Sequence, residues 1–455
     1  MTMEEIKFNG YRLDVALKAQ SPMIHFQADE PGATLRGSEV KPKLDRFLNG
    51  KISADNKQLD ESAYINDKAL NYKLSLQASG EGEVYSILDG GRNKFAIIYG
   101  DRNKKLLLRD ATLTIICMNK ELRKLIEDNI VEFFAVTNFG YMQNKGFGSF
   151  MPEEYVKQHA NSTESLRQDM AKWLKATYGS EHCYYMVFSD IGLTNISDYD
   201  GYFKEIKDFY DLLKTGRNLS RNRKGYSKSY IYQYFHRYNF NNEKAWMKSN
   251  GIAPVLNPGS SRCAASTGQI KDINARYVKA LLGIAPKLEY LNAENNPREK
   301  VLIKIDVNKE SSTKENKPEI DRMESPIFFK IVGRHVFINA KLINENIYER
   351  EFDFNAELKR PKKIEQRSQE LLINENDCKN GKLKVPSKGE LGDDFTIDKL
   401  LSEYVRYYNG ASPGESGIYL RAGEAGNGEI RDYALESSVL QDNKYVCKVE
   451  EAGNE

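Results

Sequence analysis

Three stretches of this 455-residue sequence bring cations, glycines and aromatic rings together at spacings that could hold a polyanion. The first covers residues 32–46, GATLRGSEVKPKLDR. A glycine turn leads to Ser38 as the N-cap of a helix through Leu48, and Arg36, Lys41, Lys43 and Arg46 surround that helix start. A helix N-terminus offers free N–H groups and the positive end of its dipole to an anion, and flanking cations reinforce it. The plainer alternative is a capped surface helix whose cations pair locally with Glu39 and Asp45.

The second stretch, residues 139–150, reads FGYMQNKGFGSF. Gly146 and Gly148 let the backbone approach a ligand closely, Lys145 supplies charge, and Tyr141 and Phe147 offer stacking surfaces beside Ser149. It lacks a GxxxxGK[ST] pattern and follows a helix instead of opening one after a strand, so neither a P-loop nor a Rossmann fingerprint fits. A simple glycine turn is the alternative. The third stretch, residues 212–242, holds seven Lys or Arg and no Asp or Glu. Arg221, Arg223 and Lys224 stand beside Tyr226, Tyr230, Tyr232, Tyr234, Phe235 and Tyr238. Cations neutralise phosphates, and aromatic rings stack on unpaired bases. The alternation at 230, 232 and 234 equally fits a strand with its tyrosines packed on one face.

Catalytic constellations are poor. The five histidines form no HxxxH or HExxH arrangement, and His25 and His236 remain candidates for acid–base work only because they adjoin the first and third stretches. Asp45 and Asp101 could position a metal or a 2′-hydroxyl, but read more simply as surface or turn acids. Five cysteines lie far apart with no CxxC, which argues against a disulfide framework or a zinc site. No cofactor or metal is expected.

The elements that must position these residues read as α+β. Residues 11–19 and 72–76 alternate as half-buried strands, residues 95–99 form a short apolar run before a turn at 100–103, and residues 111–116 are β-branched. Leu122, Leu125, Ile126, Ile130, Phe133 and Phe134 fall on one helix face. That order fits a ferredoxin-like β-α-β-β-α-β plan. Further on, residues 165–177, 199–214 and 396–408 read as helices and 183–188 and 301–307 as strands. Residues 311–318 read as loop, and 326–332 with 335–342 as a hairpin about Gly333-Arg334. The length exceeds the roughly 250–300 residues of a single core. The expected division is a first domain at 1–152, a second α+β domain at 153–395, and a C-terminal helix with a loosely held acidic tail at 396–455.

At 40% hydrophobic and 29% charged, the composition excludes a membrane-embedded chain and a wholly disordered one. No run approaches the roughly 18 apolar residues of a spanning helix. The N-terminus lacks an apolar signal core, so the expected location is the cytoplasm. The net charge of +2 hides an asymmetry, since residues 410–455 carry nine acids against four bases.

Taken in order, these stretches resemble the RAMP superfamily of CRISPR effector proteins. The match opens at residues 35–46, LRGSEVKPKLDR, and continues in KGFGS at 145–149 after the second helix. That ending is similar to the terminal RAMP subunit of the type III-B (Cmr) complex, and residues 322–330, RMESPIFFK, look like the start of that subunit's second domain. Lys145 stands where the family usually has arginine.

The resemblance implies tandem ferredoxin-like (RRM-like) domains with a glycine-rich loop, in a non-catalytic subunit that binds guide or target RNA beside other effector subunits. It carries Arg36, Ser38 and Lys41 from the first motif and Lys145, Gly146, Gly148 and Ser149 from the loop. Lys43, Arg46, Arg221, Arg223 and Lys224 come from the charge pattern alone. The alternative is a RAMP endoribonuclease that processes guide RNA or cuts target RNA.

Overall fold

The protein is seen as a computed structural model that describes residues 6–56, 58–66, 69–89, 92–93, 104–159, 162–188, 193–218, 226–241, 243–250, 252, 274–285, 287–291, 300–307, 323–359, 380–409 and 446–449. Contacts divide the chain into two compact units: Met1–Phe209 with Ile327–Lys341 and Leu435–Glu455, and Tyr210–Pro326 with Leu342–Ala434. The architecture is α+β with antiparallel sheets throughout.

In the first unit, β1 (Arg12–Ala19) alternates as its sequence requires, burying Leu13, Val15, Leu17 and Ala19. β2 (Met23–Ile24) follows it, and then β3 (Lys73–Ser86) and a small ribbon of β4 (Leu88–Asp89) with β5 (Arg92–Asn93). β6 (Lys105–Ile116) pairs β1 along one edge, with Arg12 opposite Ile116, and β3 along the other, with Lys73 opposite the same residue. β2 continues the β1 edge against Leu106 and Leu107, and β7 (Phe150–Pro152) closes the far side of β1.

Two helices cover one face of this sheet. α1 (Gly37–Ala54) buries Val40, Leu44, Leu48 and Ile52, and α2 (Lys120–Val136) buries all six apolar positions that define its face in the sequence. Each such side chain contributes about 1.5–3 kcal/mol when fully buried.

α1 differs from expectation at both ends. Arg36, not Ser38, is its N-cap, because the Arg36 carbonyl already accepts the Glu39 and Val40 N–H groups. The helix passes Pro42 and runs to Ala54, where Ile52 still finds the core.

α3 (Glu153–His159), α4 (Thr163–Tyr178), β8 (Cys183–Val187) and α5 (Asp200–Lys214) follow. The expected hairpin is present as β13 (Ile327–Val332) and β14 (His335–Ala340) about Gly333-Arg334. These strands make a second sheet in the order β13-β14-β8-β17, where β17 (Cys447–Lys448) is a piece of the acidic tail fixed against Tyr184 and Tyr185.

The segment between α2 and β7 is bonded to β13. Asn138 Nδ2 donates to the Phe329 carbonyl at 2.8 Å, Phe329 N–H to the Asn144 carbonyl at 3.2 Å, and Ser149 Oγ to the Ile331 carbonyl at 2.6 Å. Lys330, wholly buried, donates to the Thr137 and Phe150 carbonyls, and burial with nearby Lys43 holds its amine well below the usual lysine range. Gly148 has φ +67°, and a Cβ there would stand 1.9 Å from the Phe139 carbonyl oxygen.

The second unit contains the ribbon β9 (Arg217–Asn218) with β10 (Tyr226–Ser227). Its sheet runs β11 (Lys287–Leu291), β12 (Lys300–Val307), β15 (Glu351–Lys359) and β16 (Asn380–Lys384) in lateral order. Tyr230, Tyr232 and Tyr234 lie on a helix, α6 (Tyr230–His236), which corrects the strand alternative. Tyr230 and Tyr234 are also i and i+4, and that spacing buries both: Tyr230 packs on the helix Ile397–Tyr408, with ring centroids 5.2 Å from Tyr404 and 5.0 Å from Tyr407, and Tyr234 on Phe395 just before it, at 6.1 Å. The expected strand at 95–99, the turn at 100–103 and the loop at 311–318 lie outside the described residues.

Two outcomes follow from this packing. Gly10 also has positive φ but open space around it, so Gly10→Ala should cost about 1 kcal/mol. Gly148→Ala should cost roughly 3 kcal/mol or more, through strain and backbone overlap together. Urea unfolding of the two variants checks the difference, and equal midpoints would refute it.

His335, 1% exposed, accepts from Arg167 Nε at 3.2 Å, and burial with Arg167 and Arg334 lowers its pKa to about 4. Below about 6.5 the unfolded chain takes up a proton that the folded chain refuses, so stability falls as pH drops from 6.5 towards 4, by up to about 1.4 kcal/mol per unit. His335→Gln, which keeps an acceptor for Arg167 but does not titrate, should flatten that slope. An unchanged slope would mean His335 is not its source.

Candidate nucleic-acid interface

Two of the three exposed aromatic rings described in the first unit, Phe26 and Tyr141, lie with a cation each at the N-terminal end of α1. The third, Tyr11, is 54% exposed just before β1, with Arg123 5.0 Å over its ring. β2 ends at Ile24, and the chain turns outward so that Phe26 is 79% exposed. Arg36, extended at the helix N-cap, lays its guanidinium 4.0 Å above the Phe26 ring and donates to Gln27 Oε1. His25 stacks beside Phe26 with ring centroids 5.7 Å apart.

A second pair lies close by. Tyr141 forms a bridge with Ile24, is 53% exposed, and carries Lys104 Nζ 3.7 Å over its ring. Glu39, in the first turn of α1, accepts the Gly140 N–H at 2.9 Å and fixes the Tyr141 segment to the helix. Ser38 is exposed in the same first turn of α1. Cation–ring contacts at exposed sites are worth about 0.5–1 kcal/mol, weak enough for an incoming base to compete with them.

Other cations from the sequence reading have structural partners. Lys41 bonds both Asp45 oxygens, at 2.9 and 3.1 Å, and the Leu70 carbonyl, and it lies 4.0 Å over Tyr72. Lys43 bonds Glu39 at 2.8 Å, the Asn138 carbonyl at 2.9 Å and Gln143 Oε1 at 2.7 Å. It is a strut between α1 and the following loop. Arg46 is exposed two turns into the helix.

Lys145 is half-buried, 5.7 Å from the Phe329 ring centroid. Gly146, Gly148 and Ser149 are buried and shape the loop from within. Phe147 is no stacking surface for a ligand, since it is wholly buried and already stacked on Phe203 at 3.9 Å. Arg221, Arg223, Lys224 and Asp101 lie outside the described residues.

The acid–base candidates are not brought together on one element. His25 is 7% exposed, and burial with the Arg36 charge lowers its pKa. Asp45 is buried against Lys41. His236 is exposed on α6 with its edge towards Tyr232.

Phe26 and Lys104 were missed by sequence reasoning. A signal existed for each: an aromatic residue set among the polar and turn residues of 25–32, and a cation within the basic run at 102–105. The open face of the first sheet is a poor alternative surface. Many of its outward residues are polar and paired with one another, as in Arg12–Asp14, Thr114–Asp14, Lys18–Asp110 and Ser79–Thr112, although Ile116 and Ala16 also face outward.

Among the described residues, no helix is long and apolar enough to cross a membrane. A search of curated proteins returned no match. Family models do match: that of the Cmr1 N-terminal domain over residues 10–217, and that of the Cmr1 C-terminal domain over residues 226–416. Two such matches in sequence, covering most of the chain, agree with the RAMP resemblance of its motifs, and the chain belongs to the Cmr1 family of subunits of the type III-B CRISPR effector complex.

Proposed function

We propose that this subunit binds single-stranded guide or target RNA beside other subunits of the effector, and that the strand crosses the N-terminal end of α1. The observation that carries this reading is the pair of exposed rings, Phe26 and Tyr141, each covered by a cation, Arg36 and Lys104. Bases stack on such rings with little regard to sequence, and the cations meet the phosphates between them. Arg36 and Ser38 from the RAMP motif belong to this surface. Arg46 extends it along α1. Lys41, Lys43, Lys145, Gly146, Gly148 and Ser149 support it from beneath by holding the helix and the loop in register.

The strand orders favour tandem ferredoxin-like domains. In the first sheet β1, β3, β6 and β7 are first to fourth in sequence and lie second-third-first-fourth; β8, β13, β14 and β17 repeat that order in the second sheet. On this reading the first domain closes at Pro152. The second unit is inserted in the sequence between successive strands of the second domain.

RNA affinity of the full chain separates the two groups of residues. Phe26→Ala and Tyr141→Ala should each weaken binding of a single-stranded RNA roughly tenfold. Arg36→Glu should also flatten the dependence of affinity on salt. Lys43→Met should instead lower the unfolding temperature, because it leaves two buried or half-buried acceptors on the loop without their donor. Wild-type affinity in a combined Phe26→Ala/Arg36→Glu/Tyr141→Ala variant would refute the interface.

A further inference from the structure

Two buried polar side chains stand beside α1: Thr34, which has no part in the stacking surface, and His25, whose ring stacks on Phe26. Thr34 stands three residues before the helix, is 7% exposed, and its hydroxyl has no hydrogen-bond partner. His25 is equally buried. Its Nδ1 accepts the Gln27 N–H at 3.1 Å, so the neutral ring carries its proton on Nε2. That nitrogen is also buried; the acceptor facing it is the Thr34 backbone carbonyl, which lies outside hydrogen-bonding geometry. Orphan donors of this kind each cost about 1–3 kcal/mol unless something outside the chain accepts from them.

The helix start beside them is open as well. No side chain caps α1, and Glu39, which could reach back from the third helical position, has its Oε1 engaged by Gly140 N–H and Lys43. Among the described residues the N–H groups of Gly37 and Ser38 have no acceptor. Arg36 and the Ser38 hydroxyl complete the rim. The free groups at the helix start are donors or a cation, and the ring of His25 lies within electrostatic reach of Arg36 and of the Glu30 and Glu39 carboxylates.

We infer that the N-terminal end of α1 is a phosphate pocket in which Thr34 Oγ and His25 Nε2 are buried donors, joined by the Gly37 and Ser38 N–H groups, the Ser38 hydroxyl and Arg36. It holds one phosphate group of the bound RNA, and to that extent rests on the RNA-binding reading. The group is either a terminal phosphomonoester or an internal phosphodiester, and both have the oxygen acceptors that these donors lack. A phosphate gripped here would fix the strand's register relative to the Phe26 and Tyr141 rings.

The test uses the full chain with a short single-stranded RNA bearing hydroxyls at both ends, the same RNA with a 5′-phosphate or a 3′-phosphate, and inorganic phosphate alone. Thr34→Val removes one donor at constant shape, Thr34→Ser restores it, and His25→Asn keeps the acceptor for Gln27 while removing the Nε2 donor. Thr34→Val and His25→Asn should each weaken binding roughly five- to tenfold, with recovery in Thr34→Ser and an unfolding temperature for Thr34→Val no lower than that of the wild type.

A loss confined to one phosphorylated RNA assigns the pocket to that chain end. An equal loss with all three RNAs assigns it to an internal phosphodiester. Unchanged affinities in both variants, while Phe26→Ala still weakens binding, would overturn the pocket and leave the strand-binding surface standing. If no RNA binds the wild type, the RNA reading fails. Inorganic phosphate then decides the pocket by itself: a Thr34-dependent rise in unfolding temperature keeps it, and no rise removes it.

Discussion

The carbonyls between α2 and β7 have few strand partners of their own, and the first unit depends on how they are satisfied. A buried carbonyl without a donor is expensive, and this segment brings several into one seam. Lysine side chains supply what strands do not. Lys330 reaches the Thr137 and Phe150 carbonyls from β13, and Lys43 reaches the Asn138 carbonyl from α1. Asn138 and Ser149 return bonds to Phe329 and Ile331. The loop thereby ties the helix layer of the first sheet to an edge strand of the second.

That use of lysine explains which parts of the site were legible in the sequence. A run such as Arg36, Lys41, Lys43 and Arg46 shows charge but not where each head group ends. On α1, Lys41 and Lys43 fall at half-buried positions, where an ammonium stays only if acceptors surround it, and both find them nearby. Arg36, equally half-buried, and the exposed Ser38 lie at the helix start, where Arg36 rests on the Phe26 ring and donates to Gln27 instead of to a carboxylate. Helical position, more than charge, decides which cations become struts.

The backbone was easier to read than the rings. The face of α2, the alternation of β1 and the two-residue hairpin at Gly333-Arg334 each follow from a period that admits one solution. The tyrosines at 230, 232 and 234 admit two, since a short aromatic run can be a strand or the i, i+4 face of a helix. Burial against Tyr404 and Tyr407, far away in sequence, decides for the helix. Phe147 and Phe26 exchange roles for a similar reason. Positive φ at Gly146 and Gly148 turns the phenylalanine between them into the core. Phe26, beyond the last pairing residue of β2, has no core position to enter.

These constraints also bear on where a nucleic acid could meet this domain. The open face of an antiparallel sheet is the obvious platform for bases, yet here many of its outward residues are charged or hydroxylated and paired among themselves. A base laid on that face would have to break those pairs and would gain no ring to stack on. At the end of the sheet the balance is reversed. Two rings are already exposed, their cation partners are held by weak contacts, and the helix dipole points its positive end towards them. Glu39 then acquires a purpose that an acid in a basic motif would otherwise lack. By accepting the Gly140 N–H it fixes Tyr141 to the first turn of α1, so that the rings and the donors at the helix start keep a set spacing before any ligand arrives.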